Sequence, residues 1–185
     1  MDLIELIVQP VGRVRPEDAI YVAREMPKHF PISIRVYPTM WSLQPPASAY
    51  EWSRMQYRAF DINEWLSRSL GPLLKGGRLA LGLVGADAFV SGLNFVFGLA
   101  DPELRVATVY TARLEDNDND RFLSRFLKES IHEVGHLLGL EHCPNRACVM
   151  SFSNDVEDVD LKSPDFCDSC KLKLIRAYSD KDLVP

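Results

Sequence analysis

The 185 residues predict an α/β fold: a mixed, partly parallel twisted sheet with helices packed on it, then a small C-terminal part pinned by four cysteines. Three observations predict it. Short apolar runs that suit strands alternate with stretches of helical periodicity, the pattern of parallel crossovers. A long amphipathic stripe runs from about residue 123 to 138. Beyond His142 the long apolar runs cease, and all four cysteines fall between 143 and 170. With 46% apolar and 25% charged residues the chain can bury one sizeable core. We expect a single domain, with an N-terminal part over 1–139 and a C-terminal part over 140–185.

Each element follows from local chemistry. Leu3 to Val8 is an apolar run bounded by Pro10 and Gly12 and suits a buried strand that opens the sheet. Pro16-Glu17-Asp18 puts proline and acids where the free N–H groups of a first helical turn favour them. Ala19, Val22, Ala23 and Met26 then form the apolar stripe of a helix that Pro27 ends. Ile32, Ile34 and Val36 alternate with Ser33, Arg35 and Tyr37, a half-buried strand, so strand, helix and strand predict a parallel crossover. Pro38 to Arg58, rich in proline, serine and aromatics, reads as a long surface connection with a helical start near Tyr50. In it Arg54 and Tyr57 read as loop packing, with approach to a site as the alternative.

Phe60, Ile62, Trp65, Leu66 and Leu70 predict the inner face of a second helix, closed by Gly71-Pro72. Leu79 to Val84 is continuously apolar, as a central strand requires. Gly92 to Gly98 reads as a short strand bounded by glycines. As an edge it would offer unpaired backbone groups to an extended peptide, which makes Gly92, Leu93, Asn94 and Phe95 candidate substrate-binding residues. An interior hairpin strand with no binding role fits the same pattern. Arg105 to Ala112 alternates and is β-branched, a further strand. The acidic run Glu115 to Asp120 fails as a calcium loop, because Arg121 stands where glycine is needed and Leu127 where glutamate is needed. It reads instead as a helix entrance. In that helix Leu123, Leu127, Ile131, Val134 and Leu138 share one face, while Arg125, Glu129, His132 and His136 share another. Glu129 reads as a solvated face residue, with orientation of a ligand as the alternative.

The stretch His132-Glu133-Val134-Gly135-His136-Leu137-Leu138-Gly139-Leu140-Glu141-His142 carries the chemistry. Residues four apart lie on one helix face, so His132 and His136 can present two imidazole nitrogens to one ion. Glu133, one step round, reaches a water on that ion without being a ligand. Gly139 lets the backbone turn out of the helix and bring His142 in as third ligand, leaving one coordination position open. Three of the chain's four histidines fall within these eleven residues. Cys143 and Cys148, then Cys167 and Cys170 eighteen residues on, form two close pairs that can enclose a second zinc tetrahedrally at about 2.3 Å per sulfur. Such a closed site is structural and supplies folding free energy to a region poor in apolar residues. Free or disulfide-bonded cysteines are the competing reading.

Charge and termini exclude other classes. A net charge of −5 without clustered Lys and Arg disfavours nucleic acid. Met1 to Val8 carries acids at 2 and 5 and no basic start, so it is no signal peptide, and no apolar run reaches the length of a membrane span. A cytoplasmic location is the expectation, and the sequence carries no sign of oligomeric state.

The zinc motif, followed by Cys143, Cys148, Met150 within Cys148-Val149-Met150-Ser151-Phe152-Ser153-Asn154, and the run Phe166-Cys167-Asp168-Ser169-Cys170, resembles the archaemetzincins, a branch of the metzincin zinc metallopeptidases. The match runs over about residues 129 to 170. The Gly92 to Leu99 stretch and Arg54 to Tyr57 are also similar to family segments. The resemblance implies a metzincin-like fold, an apolar floor made by Met150 under the histidines, and a second zinc held by the four cysteines. It further implies a zinc metallopeptidase that hydrolyses peptide bonds through a zinc-activated water with Glu133 as general base. Two zinc ions per chain are expected, one catalytic and one structural, with a peptide or protein as substrate and neither nucleic acid nor membrane as partner. Two other functions fit the residues: a non-catalytic, zinc-stabilised module that binds peptides or proteins, and a zinc hydrolase acting on a non-peptide amide.

Overall fold

The computed structural model describes residues 3–179; Met1, Asp2 and residues 180–185, which the readings of the N-terminal run and the C-terminal part include, lie outside them. In chain order the elements are β1 (Ile4–Gly12), α1 (Pro16–Glu25), β2 (Ile34–Pro38), β3 (Tyr50–Glu51), β4 (Gln56–Arg58), α2 (Ala59–Leu70), β5 (Leu79–Gly85), β6 (Ala88–Phe89), β7 (Gly98–Asp101), β8 (Val106–Tyr110), α3 (Asn119–Leu137), α4 (Val156–Leu161) and α5 (Asp168–Ser179).

Apolar residues on both faces of β1 decide the layering. Leu6 and Val8 pack into one core and Ile7 and Val11 into another, so this sheet needs cover on both sides. The five strands run in the order β2-β1-β5-β8-β7, parallel except for β7, which pairs antiparallel with β8 at the edge. On one face α1 and α3 bury Val22, Phe126, Ile131 and Val134, together with Val149, Met150 and Phe166 from the C-terminal part. On the other face α2 buries Ile62, Leu66 and Leu70. The mixed α/β fold expected from the sequence is therefore the one observed, with the predicted crossover from β1 through α1 to the parallel β2. No helix among the described residues is long and apolar enough to cross a membrane.

Several local expectations change. β1 runs on through Pro10 to Gly12, because Pro10 needs no N–H and offers its carbonyl to Leu43. The connection after Pro38 is not loop throughout: β3 pairs antiparallel with β4, and β4 parallel with β6, in a second, three-stranded sheet. The helical start near Tyr50 is a 3-10 turn at Ala47–Ala49. Phe60, assigned to the inner face of α2, is 55% exposed, since the buried stripe runs through Ala59, Ile62, Leu66 and Leu70 and Phe60 lies off it. β8 is buried at every residue rather than on alternate ones, because helices cover both faces.

Two corrections bear on the site. The strand expected over Gly92–Gly98 begins only at Gly98 and runs to Asp101. Upstream, the carbonyls of Leu93 and Asn94 accept hydrogen bonds from Arg54, and Gln56 also donates to Asn94, so side chains take the groups a ladder would have used. The second is the polar face of α3, which is not solvated. Arg125, Lys128 and Glu129 are buried against α4 and the residue after it. Arg125 makes two 2.7 Å bonds to Asp160, Lys128 donates to the carbonyls of Val159 and Asp160 at 3.1 Å, and Nζ of Lys162 lies 2.6 Å from Glu129. Lys128 thereby satisfies carbonyls that α4 leaves unpaired at its C-terminus.

Candidate metal centre and substrate cleft

Helix α3 starts where Asp118 caps it, accepting from the N–H groups of Asp120 and Arg121. Its last two turns carry His132, Glu133 and His136, and Gly139 follows at φ +90°, a left-handed turn that sends the chain back toward the helix. His142 then meets the other two imidazoles, its ring centroid 5.3 Å from that of His132 and 4.8 Å from that of His136. One ligand atom from each histidine lies within 4.8 Å of the others.

The hydrogen bonds decide which nitrogens are bare. Nδ1 of His132 lies 2.8 Å from the carbonyl of Val149, and Nδ1 of His136 2.7 Å from that of Leu140. A carbonyl only accepts, so both Nδ1 atoms carry the proton and both Nε2 atoms present lone pairs. These two Nε2 atoms are 3.0 Å apart. Burial holds His132 well below the ordinary histidine range, with the Lys162 charge adding to it, and burial also lowers His136 and His142. Neutral rings place no proton between the facing lone pairs, so the arrangement repels itself unless a cation sits among them. A tetrahedral zinc with bonds of about 2.1 Å would set its nitrogens about 3.4 Å apart, close to this spacing.

Two glycines admit the parts around this trio. A Cβ at Gly135 would stand 2.4 Å from Sδ of Met150, so the bare helix surface is what lets the fully buried Met150 pack beneath the histidine turn. A Cβ at Gly98 would stand 2.5 Å from Cγ and Oε1 of Glu133, so the edge strand leaves room for that carboxyl group. Burial first, and the charge of Glu129 second, push the Glu133 carboxyl well above the usual carboxylate range. Sequence reasoning treated Gly98 only as a strand boundary and gave Gly135 no role. A glycine inside a helix costs about 1 kcal/mol against alanine, and that was the available signal for Gly135.

A cleft of about 570 Å³ opens over these groups. One wall is the segment from Leu93 to Ala100, the floor is α3 with Glu129, His132, Glu133 and His136, and the other wall is Phe152 to Asn154. Of the four candidate binding residues, Leu93, Asn94 and Phe95 line the cleft and Gly92 does not. Arg54 lies behind the first wall, its guanidinium 4.0 Å from the Phe89 ring and bonded to the carbonyls of Leu93 and Asn94, while Tyr57 packs edge-on to Tyr50. Glu129, expected on a solvated face, is 3% exposed and belongs to the cleft. Its partner Lys162 escaped the sequence reading altogether, since nothing local marks a lysine 33 positions away.

Behind the histidines, the Sγ atoms of Cys143, Cys148, Cys167 and Cys170 lie within 4.8 Å of one another, and none is in a disulfide. Cys143 and Cys167 are 3.7 Å apart at sulfur, against about 3.8 Å for two ligands of a tetrahedral zinc at 2.3 Å. Burial raises Cys148 and Cys170, the latter also through the neighbouring Cys148 charge. Against burial, the Cys170 backbone N–H and the adjacent thiols bring Cys167 to about 7. Cys167 is thus eased toward a thiolate while burial disfavours charge on Cys148 and Cys170, and a cation among the sulfurs would favour that charge. His142 and Cys143 are neighbours in irregular backbone yet belong to the two different clusters.

Comparison with known proteins places the chain as a whole. Residues 37–176 match the model of "Peptidase family M54". An archaemetzincin from Aeropyrum pernix is 44% identical over 183 residues, covering 96% of this chain and 97% of that protein. The crystal structure of an archaemetzincin from Archaeoglobus fulgidus, complexed with malonate, superposes with a TM-score of 0.79 at 34% identity over 92% of this chain and 99% of that one. A zinc-dependent peptidase from Methanocorpusculum labreanum gives 0.81 at 27% identity over 92% of this chain and 99% of its own.

Proposed function

The chain belongs to peptidase family M54, the archaemetzincins, and is a zinc metallopeptidase; on that premise we propose a division of labour among its residues. His132, His136 and His142 hold a catalytic zinc, and Cys143, Cys148, Cys167 and Cys170 hold a second, structural one. The chain acts as one domain whose parts, 1–139 and 140–185, meet along the cleft. Bound at the histidines, zinc supplies Lewis acidity, polarising the scissile carbonyl and bringing the pKa of a water to about 7.

The protein's own groups do the rest. Glu133 accepts a proton from the attacking water as the new C–O bond forms, and returns it to the amine nitrogen as the C–N bond breaks. Its buried setting, which raises its pKa, suits a group that must hold a proton between those two moments. The outer edge of β7 offers backbone groups to an extended peptide, and Leu93, Asn94 and Phe95 bound its path. Met150 supports the histidine turn from below.

The observation that carries this reading is the pair of bare Nε2 atoms 3.0 Å apart, in the same cleft as a buried carboxyl group. Glu133→Gln tests it. The variant should keep its zinc and lose at least about 100-fold in peptide cleavage, the scale of positioned acid–base catalysis. Undiminished cleavage by a folded, zinc-loaded Glu133→Gln chain would remove Glu133 from the reaction. A digest of the wild type with and without chelator checks the dependence on metal.

A further inference from the structure

The core between α2 and the sheet holds a chain of polar side chains that the proposed reaction does not use. Asn63 of α2 and Thr108 and Tyr110 of β8 are each at most 1% exposed, among apolar neighbours such as Ile62, Leu66 and Val106. Oγ1 of Thr108 lies 2.7 Å from Oδ1 of Asn63 and 3.1 Å from the Tyr110 hydroxyl oxygen. Thr108 has a single hydroxyl proton and Oδ1 can only accept, so Thr108 donates to Asn63 and Tyr110 donates to Thr108. Nδ2 of Asn63 in turn donates to the carbonyl of Leu99 at 3.0 Å. Hydrogen bonds in series thus end on β7, the edge strand that helps to wall the cleft.

The register of β7 decides which group this chain acts on. The Tyr110 N–H donates to the Phe97 carbonyl at 2.8 Å, so in the antiparallel ladder Phe97, Leu99 and Asp101 bond inward, to Tyr110, Thr108 and Val106. Gly98 and Ala100, between them, turn their N–H and C=O groups to the outer edge, where no described residue takes them. The Leu99 carbonyl and the Ala100 N–H belong to one peptide unit. That carbonyl accepts from the Thr108 N–H of the ladder and again from Asn63, and each bond accepted polarises the unit and strengthens the N–H at its other end. We propose that Asn63 is a positioning residue for substrate: backed by Thr108 and Tyr110, it aims and polarises the Leu99–Ala100 peptide unit so that the Ala100 N–H anchors a carbonyl of the bound peptide. This rests on the reading of β7 as the peptide-binding edge and adds the anchor. Gly98 stands beside Glu133, level with the reaction, and Ala100 lies two residues on, about 7 Å along the strand. The anchored carbonyl therefore belongs to a substrate residue about two positions from the cleaved bond.

The test uses the zinc-loaded full chain and a nested series of peptides, lengthened one residue at a time on each side of the cleaved bond. In the wild type one added residue should lower KM by about three- to tenfold, the net size of one hydrogen bond. In Asn63→Leu, which keeps the bulk of the side chain without its donor, that step should shrink to less than about twofold. An asparagine that only held α2 to the sheet would instead weaken cleavage alike at every length. Asn63→Leu/Thr108→Val/Tyr110→Phe removes the whole chain and leaves none of its members unpaired; it should lose the step too, and it replaces the single variant if that folds poorly. Calorimetry of the same peptides on Glu133→Gln, with and without Asn63→Leu, reads the step without turnover. A step in binding that depends on Asn63, with no cleavage by the wild type, would defeat the peptidase reading and keep this one. No step in the wild type, a step that Asn63→Leu leaves intact, or a loss equal at every length overturns the anchor.

Discussion

Replacing Gly98 by alanine probes the reaction geometry without touching an ionisable group. The three atoms nearest the added methyl all belong to Glu133, two of them at 2.5 Å, whereas carbon contacts settle near about 3.5 Å. The methyl cannot yield, because Gly98 is paired opposite Val109 in the β7–β8 ladder. The Glu133 carboxyl group must therefore retreat by about 1 Å, and a misplacement of that size costs on the order of 100-fold in rate. In barrier terms this is about 2.7 kcal/mol. Gly98→Ala should show that loss in kcat on a fluorogenic peptide, with KM changed little and zinc content unchanged by elemental analysis. A thermal melt establishes that the variant folds. Full turnover by a folded, zinc-loaded Gly98→Ala would mean that Glu133 does not need the space beside β7, and the role given to it would fail.

Other outcomes follow from the same geometry. Cys170→Ser removes one buried sulfur of the four, and metal analysis should fall from two zinc ions per chain to one, with a lower melting temperature; two ions retained would refute the cysteine site. Acid should destabilise the fold through Asp160, whose pKa the hydrogen bonds from Arg125 hold below the carboxylate range. The unfolded chain, with an Asp pKa of about 3.9, then binds the proton first, so this contribution is present above about pH 4 and is lost as pH falls through the lower, folded value. Asp160→Asn should melt earlier at neutral pH and lose less on going from about pH 5 to 3; an unchanged slope would show that the pair carries no linkage.

The chemistry-bearing residues were readable from the chain because their spacing is local. A four-residue step on a helix, a glycine that permits the turn at 139 and a pair of close cysteines at each end of a short segment leave few ways to arrange these side chains. The same holds for β1 and β5, whose continuous apolar runs mark strands covered on both faces, and for α1, whose stripe decides which face is buried. Gly92–Gly98 misled because the carbonyls of Leu93 and Asn94 are taken by Arg54 and Gln56, some 40 positions earlier. The polar face of α3 misled for the opposite reason. Glu129 looks solvated until Lys162 covers it, and a charged side chain accepts burial once it finds a partner.

By itself, then, the sequence determined the histidine cluster and the cysteine cluster, the helix that carries the histidines and the layered α/β plan, since helical pitch and the apolar runs of strands act over a few residues. Only the tertiary structure decided that Gly98 frames Glu133, that Gly135 seats on Met150 and that Glu129 turns into the cleft with Lys162 behind it. Those are contacts between segments 15 to 35 residues apart, and packing, which no local period encodes, is what brings them together.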